Sequence, residues 1–440
     1  MGFVMRHNEN LLFRRTAARF ALGLTAASLL SGFAHAASCV ALFSDVFDFN
    51  GQNGQAPGST ALVVDSKGNL YGATPSGGAY LGGVVFKLTP PTGSATTWTE
   101  TVLWSFNPGG AGGSYPNNGL LIGANGVLYG MTSNGGAYGN GAVFQLTPPA
   151  AANGSWTETV LYNFGVGSKD SSSPNGNTLV QGPNGVLYGA AQAGGSHGDG
   201  TVFQLTPPGA NCTPIAGNAW CEKILHSFGN GASDGVTPSG ALALDPSGNL
   251  YGTTSAGGSN IADTGTVFKL SPPTEAGGAW KESILRNFQI SDGAFPAGGV
   301  VIDSYGNLYG TTNFFGGNGS GTVFELSPPA SSDGAWSETT LYNFPLGASS
   351  TTAVTIGPKG VLYGTTQGAG FVAGMVFSLA PPANLGGAWT PTLLSTFETS
   401  GPNIASISAA ALVESSGKVF GTSSFGGANG NGFVWEFQIP

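Results

Sequence analysis

Between Asn117 and Phe164 the chain reads as four short apolar runs cut by glycine, proline and asparagine. GLLIG is followed by the turn ANG, VLYGMT by the glycine loop SNGGAYGNG, and AVFQLT by the breaker PPAAANGS, before the fourth run WTETVLYNF. Runs this short, rich in branched and aromatic residues and separated by turn formers, predict strands of an antiparallel meander rather than helices. The same pattern recurs along the chain. An aromatic after an apolar residue and before glycine stands at Tyr71, Tyr129, Tyr188, Tyr251, Tyr309, Tyr363 and Phe420, spaced 54 to 63 residues apart. A second phrase ends at Phe86, Phe144, Phe203, Phe268, Phe324, Phe377 and Trp435, and a third at Phe106, Phe164, Phe228, Phe288, Phe344 and Phe397. The third phrase is missing after the last anchor, yet a copy of it, LFSDVFDF ending at Phe49, precedes the first. A linear stack of repeats gains nothing from this permutation, whereas a ring closes by it. The expected fold is therefore all-β: a seven-bladed β-propeller with four antiparallel strands per blade, closed by an N-terminal strand around Val40 to Phe49 pairing with Gly432 to Gln438.

The punctuation has local causes. Asp65, Asp245 and Asp303 stand three residues before Gly68, Gly248 and Gly306, a pattern in which the carboxylate accepts backbone N–H groups and glycine supplies a left-handed exit. Proline pairs at 90/91, 148/149, 207/208, 272/273, 328/329 and 381/382 end the third strand by removing backbone donors. Trp98, Trp156, Trp220, Trp280, Trp336 and Trp389 then open the fourth strand, where packing between blades is the expected role and sugar stacking the alternative.

The consensus assembled from these units, SDGxxP, GxLxxDxxGNLYGTTxxGG, GTVFxLxPP and WxExxLYNF, resembles the GloVer tandem repeat of bacterial exported proteins, the choice-of-anchor group. The resemblance covers essentially the whole chain after residue 36. It implies an extracytoplasmic propeller, usually held at the cell surface by a C-terminal sorting element. This chain ends on FVWEFQIP without such an element, which gives weight to free secretion or periplasmic residence.

The start of the chain reads as a leader. Arg14, Arg15 and Arg19 precede an apolar run from Phe20 to Leu30, and Ala34-His35-Ala36 offers the small residues a signal peptidase requires, so residues 1–36 are expected to be removed and 37–440 to form one domain. Cys39 is either a lipidation site or a free thiol, but Ala36-Ala37-Ser38 lacks the branched aliphatic residue of a lipidation box. Past residue 36 no run reaches the length of a membrane helix. Cys212 and Cys221 flank the longest insertion, and in an exported chain they are expected to form a disulfide across it. With 13 Lys and Arg against 22 Asp and Glu the net charge is −9, and losing four arginines and Glu9 with the leader takes it to about −12. That balance repels phosphate backbones and excludes nucleic acid as a natural partner.

Candidate chemistry is sparse, and no cofactor or metal site is legible. Asp170, Asp234 and Asp292, each four residues before a proline, together with Asn53, read as local turn formers, since one carboxylate per blade falls short of what calcium needs. The glycine loops between second and third strands carry Tyr80, Tyr138, His197, Phe315, Phe371 and Phe425, aromatic platforms that suit a polysaccharide or cell-surface ligand. Their alternative role is to cover the ring. His226 stands where Tyr162 and Tyr342 stand in other copies and reads as packing. His197 with Asp199, and Asp263 on the adjacent loop, are the acid–base residues that depart from the repeat, and they mark the alternative of a secreted glycosidase or lyase. The expectation is thus a monomeric, non-catalytic binding or scaffold propeller, secreted or resident in the periplasm or at the surface of a bacterium.

Overall fold

Each of the seven blades is an antiparallel sheet of four principal strands; among the described residues the sixth blade gains Ala348–Ser349 as a fifth, and Ser171–Ser172 pairs separately with Ala193–Gly194. The computed structural model describes residues 43–439 except 58–61, 152–153, 175–177, 210–211, 216, 260–262, 276, 332–333, 369–373, 385, 398–412 and 416. The leader, Cys39, Val40 and Phe371 lie outside the described residues. In the second blade the strands are Leu121–Ile122, Leu128–Thr132, Ala142–Thr147 and Thr157–Asn163, hydrogen-bonded in that order from the inside outwards. The seventh blade is built from both ends of the chain. Its inner three strands are Val413–Ser415, Lys418–Ser423 and Phe433–Gln438, and its outermost is Phe43–Asp48, with Asp45 opposite Trp435. The ring closes as the permuted repeat predicts.

The turn between first and second strands comes in two chemical forms. In the first, fourth and fifth blades Asp65, Asp245 and Asp303 accept two backbone N–H groups with Oδ1 and the anchor tyrosine hydroxyl with Oδ2, at 3.1 Å in each case. In the second, third and sixth blades the aspartate is replaced by Gly123, Gly182 or Gly357. A Cβ there would fall 2.5–2.6 Å from the anchor tyrosine ring, which has taken the space the carboxylate occupies elsewhere.

The Tyr-Gly pair of every second strand has a packing cause. The glycine lies opposite the third-strand aromatic, so that a Cβ on Gly72, Gly130 or their five counterparts would stand 2.2–2.5 Å from that ring. Those third-strand rings in turn receive the terminal aromatic of the preceding blade. The pairs Phe49–Phe86, Phe106–Phe144, Phe164–Phe203, Phe228–Phe268, Phe288–Phe324, Phe344–Phe377 and Phe397–Trp435 have centroids 5.0–5.9 Å apart, steeply inclined. Edge-to-face contact at this distance adds to the apolar burial itself. One aromatic pair therefore spans every seam, including the one made by the two ends of the chain. Further out, Trp98, Trp220, Trp280, Trp336 and Trp389 lie against Phe420, Tyr129, Tyr188, Tyr251 and Tyr309 of the preceding blade. The opening tryptophans thus pack between blades.

Candidate functional site

Outside the aromatic pairs, five of the seams bring together three equivalent repeat positions around a glutamate, namely Glu100, Glu158, Glu222, Glu282 or Glu338. The residue two before the terminal phenylalanine comes from one blade, a glutamate two residues after the opening tryptophan comes from the next, and the third member sits on the loop joining them. Between the second and third blades the Tyr162 hydroxyl lies 3.1 Å from both Asp170 Oδ1 and Glu222 Oε2, and Ser171 donates to Glu222 Oε1 at 2.6 Å. Burial and hydrogen bonding to Asp170 push the Glu222 carboxyl up to about 9, so it holds its proton at neutral pH. Between the fourth and fifth blades the Arg286 guanidinium bridges Asp292 and, at 3.4 Å, Glu338. At the closing seam Asn53 donates to Glu100, whose carboxyl burial pushes up to about 7.

The seam between the third and fourth blades is built differently. His226 Nε2 stands 3.5 Å from Asp234 Oδ1 and 3.5 Å from Glu282 Oε1, and none of these three buried atoms has a hydrogen-bond partner among the described residues. Burial disfavours the imidazolium, but the Asp234 and Glu282 carboxylates outweigh it and the imidazole pKa is raised. Burial pushes Glu282 up to about 7. Among the described residues this is the group of His, Cys, Asp and Glu side chains whose ligating atoms converge within 4.8 Å. His226 also packs as expected, edge-on to Phe228 at 4.6 Å, as Tyr162 does to Phe164.

The aspartates at these seams fulfil the turn role read from the sequence and exceed it. Asp170 Oδ2 accepts the N–H groups of Gly165 and Val166, Asp234 Oδ2 that of Asn230 and Asp292 Oδ1 that of Gln289, while the other oxygen of each reaches the seam. The glutamates were legible only as the third letter of Trp-x-Glu. Their role depends on a neighbour some 50 to 60 residues away, beyond what one repeat reveals.

At the seam between the first and second blades the loop position is Gly112, whose absent Cβ would stand 2.2 Å from Glu158 Oε1. Tyr162, His226 and Arg286 have Trp104 as their counterpart here. The result is a cavity of about 580 Å³ lined by Tyr80, Trp104, Phe106, Gly112, Trp156 and Glu158. Glu158 Oε1 lacks a hydrogen-bond partner among the described residues, and burial pushes its carboxyl up to about 7. An aromatic-walled cleft with one half-protonated carboxyl can stack against a flat apolar face and both donate and accept a hydrogen bond.

The loops joining second to third strands and those joining successive blades lie on one face, tied by bridges such as Gln55 to Ser76 and Ser114 to Asn134. Tyr80, Tyr138, Phe315 and Phe425 are exposed there, at 58%, 46%, 38% and 54% of their surface, and His197 is exposed as well. Tyr80 is the one that lines the cleft. Asp199 packs its carboxylate beside Gly229, and its backbone carbonyl accepts the Thr237 N–H; Asp263 is exposed. Cys212 and Cys221 form the expected disulfide, with Cα atoms 5.8 Å apart. Among the described residues no helix is long and apolar enough to cross a membrane.

Seven four-stranded blades around a closed ring define the molecule as a seven-bladed β-propeller. Its sequence matches the Gloeobacter/Verrucomicrobia repeat over residues 37–223 and again over 152–370, and the chain belongs to that family. No curated protein matches it in sequence. Among solved structures, an ulvan lyase of family PL25 is similar with a TM-score of 0.55 and 10% identity over 90% of this chain and 96% of that one. The polysaccharide lyase Uly1 is similar with a TM-score of 0.50 and 12% identity, over 86% and 89% of the two chains. At such identities the likeness is one of fold.

Proposed function

We propose that this chain is an exported, non-catalytic binding propeller that recognises a polysaccharide or another surface polymer on its glycine-loop face. The observation that carries this reading is the cleft between the first and second blades, where Tyr80, Trp104 and Trp156 surround the carboxyl of Glu158. Sugar rings offer apolar C–H faces to such walls and hydroxyls to such a carboxyl. The net charge of −9 favours a neutral polymer over a polyanion. Two fold neighbours are named for action on polysaccharides, which supports the ligand class. The disulfide and the leader at 1–36 support an oxidising compartment, with residues 37–440 as a single monomeric domain.

A glycan array with the mature chain tests the reading. Tyr80→Ala combined with Tyr138→Ala is expected to weaken retention at least tenfold while the melting temperature stays within about 2 °C of the parent, because exposed side chains contribute little to stability. Unchanged retention by the double variant would place the ligand elsewhere. The cavity of about 520 Å³ lined by Tyr305, Trp336 and Lys269 is then the next candidate. The same array reads the second function. Products that disappear with His197→Ala would favour a carbohydrate-active enzyme using His197, Asp199 and Asp263. A glycosidase ordinarily needs two carboxyls, and Glu158 is the acidic residue in the lining of the cleft, which is why binding is preferred.

A further inference from the structure

We infer that the third and fourth blades share a divalent-metal site of zinc type, formed by His226 Nε2, Asp234 Oδ1 and Glu282 Oε1. Comparison of the seams carries the argument. Where Tyr162 fills the central position, its hydroxyl makes two contacts of 3.1 Å to the flanking carboxylates, and where Arg286 fills it, a cation bridges the pair directly. At His226 the same position is left with gaps of 3.5 Å on both sides. That separation exceeds the roughly 2.7–3.2 Å of an N–H···O bond. It is close to the spacing of neighbouring donors around a tetrahedral zinc ion, about 3.3 Å when each bond is about 2.0–2.1 Å. All three atoms lie within 4.8 Å of one another, so a single ion can touch them together.

Asp234 supplies an independent indication. Its side chain is only 6% exposed, its Oδ1 faces the cluster without a hydrogen bond, and its Oδ2 is held by the Asn230 N–H at 2.8 Å. A buried carboxylate oxygen left without a donor costs free energy unless a cation meets it, and the bond to Oδ2 fixes its direction as outer contacts do for metal ligands. The donor set is one imidazole and two carboxylates, which suits zinc and is too small and too nitrogen-rich for calcium. Two carboxylates also neutralise a dication. His226 and Glu282 remain 18% and 17% exposed, leaving a fourth position for water. Because the ligands come from the third blade, the joining loop and the fourth blade, a bound ion would staple the same seam that carries the aromatic pair Phe228–Phe268.

The test uses the full chain stripped with a chelator and titrated calorimetrically with Zn²⁺ alone, with elemental analysis for stoichiometry. One zinc per chain with a dissociation constant below about 1 μM and a rise in melting temperature are expected. His226→Tyr installs the residue that Tyr162 and Tyr342 show to fit this position, and it should fold yet bind at least 100-fold more weakly. Glu282→Gln should weaken binding similarly, while Glu100→Gln, at the closing seam, should bind like the parent. Absence of saturable binding in the parent would overturn the proposal, as would affinity that survives both His226→Tyr and Glu282→Gln. Circular dichroism of each variant separates lost binding from lost fold.

Discussion

Gly130 shows how much of a blade hangs on a missing side chain. The ring of Phe144 ends where its Cβ would be, 2.4 Å away, and that ring is itself held by Phe106 of the preceding blade. Gly130→Ala is therefore expected to push Phe144 into an already filled seam and destabilise the protein by about 1–3 kcal/mol, the range for overpacking. Thermal unfolding checks this, and an unchanged midpoint would mean the seam has slack. This glycine was legible in the sequence as the recurrent Tyr-Gly, because a position that is glycine in seven copies demands one physical reason seven times. Gly112 was not legible. It interrupts a pattern rather than repeating one, and its meaning emerges only when Glu158 arrives beside it from the next blade. The same holds for His226, readable as a ring that packs but not as an imidazole nitrogen aimed between two carboxylates.

At the scale of elements, strand order was readable because each strand is bounded by its own chemistry: aspartate or glycine turns, glycine loops and proline pairs. Even the odd pairing of Phe43–Asp48 with Phe433–Gln438 followed from counting phrases. What lay beyond the pattern was the seam, since contacts between blades depend on how adjacent sheets are set against each other, which no single repeat specifies. The outermost strand of the seventh blade gives a direct test. Removing residues up to Phe49 strips one strand, deletes the ring contact of Phe49 with Phe86 and bares the edge of Phe433–Gln438. The shortened protein is expected to lose cooperative unfolding or aggregate, as judged by light scattering during a thermal ramp. A midpoint equal to that of the intact chain would contradict closure by this strand.

For the molecule as a whole, the seam glutamates set how stability responds to acid. Burial raises Glu100, Glu158 and Glu222 to about 7, 7 and 9 from the ordinary 4.5 of a glutamate. A carboxyl raised in the folded state binds more protons there than in the unfolded chain between the two values, so stability falls as pH rises across that window. The opposite holds for Asp65, where burial is outweighed by hydrogen bonds from Asn69, Lys67 and Tyr71 and the pKa is lowered, so its contribution is lost only as pH falls below the ordinary carboxylate range. The melting temperature is therefore expected to be highest near pH 5 and to decline towards pH 9, with Glu158→Gln flattening the part of the decline up to about pH 8. Calorimetry across that range decides it, and a midpoint that climbs with pH would refute the assignment. The closing strand has a further consequence in time. A ribosome makes Phe43–Asp48 well before its partner Phe433–Gln438, so through most of the propeller's synthesis the growing protein is an open arc with a bare edge at its leading blade and a lone strand waiting. Two nascent chains in that state carry interchangeable strands, so that each arc can be finished by its neighbour's end, and the tether to its own chain is what makes self-closure the faster choice.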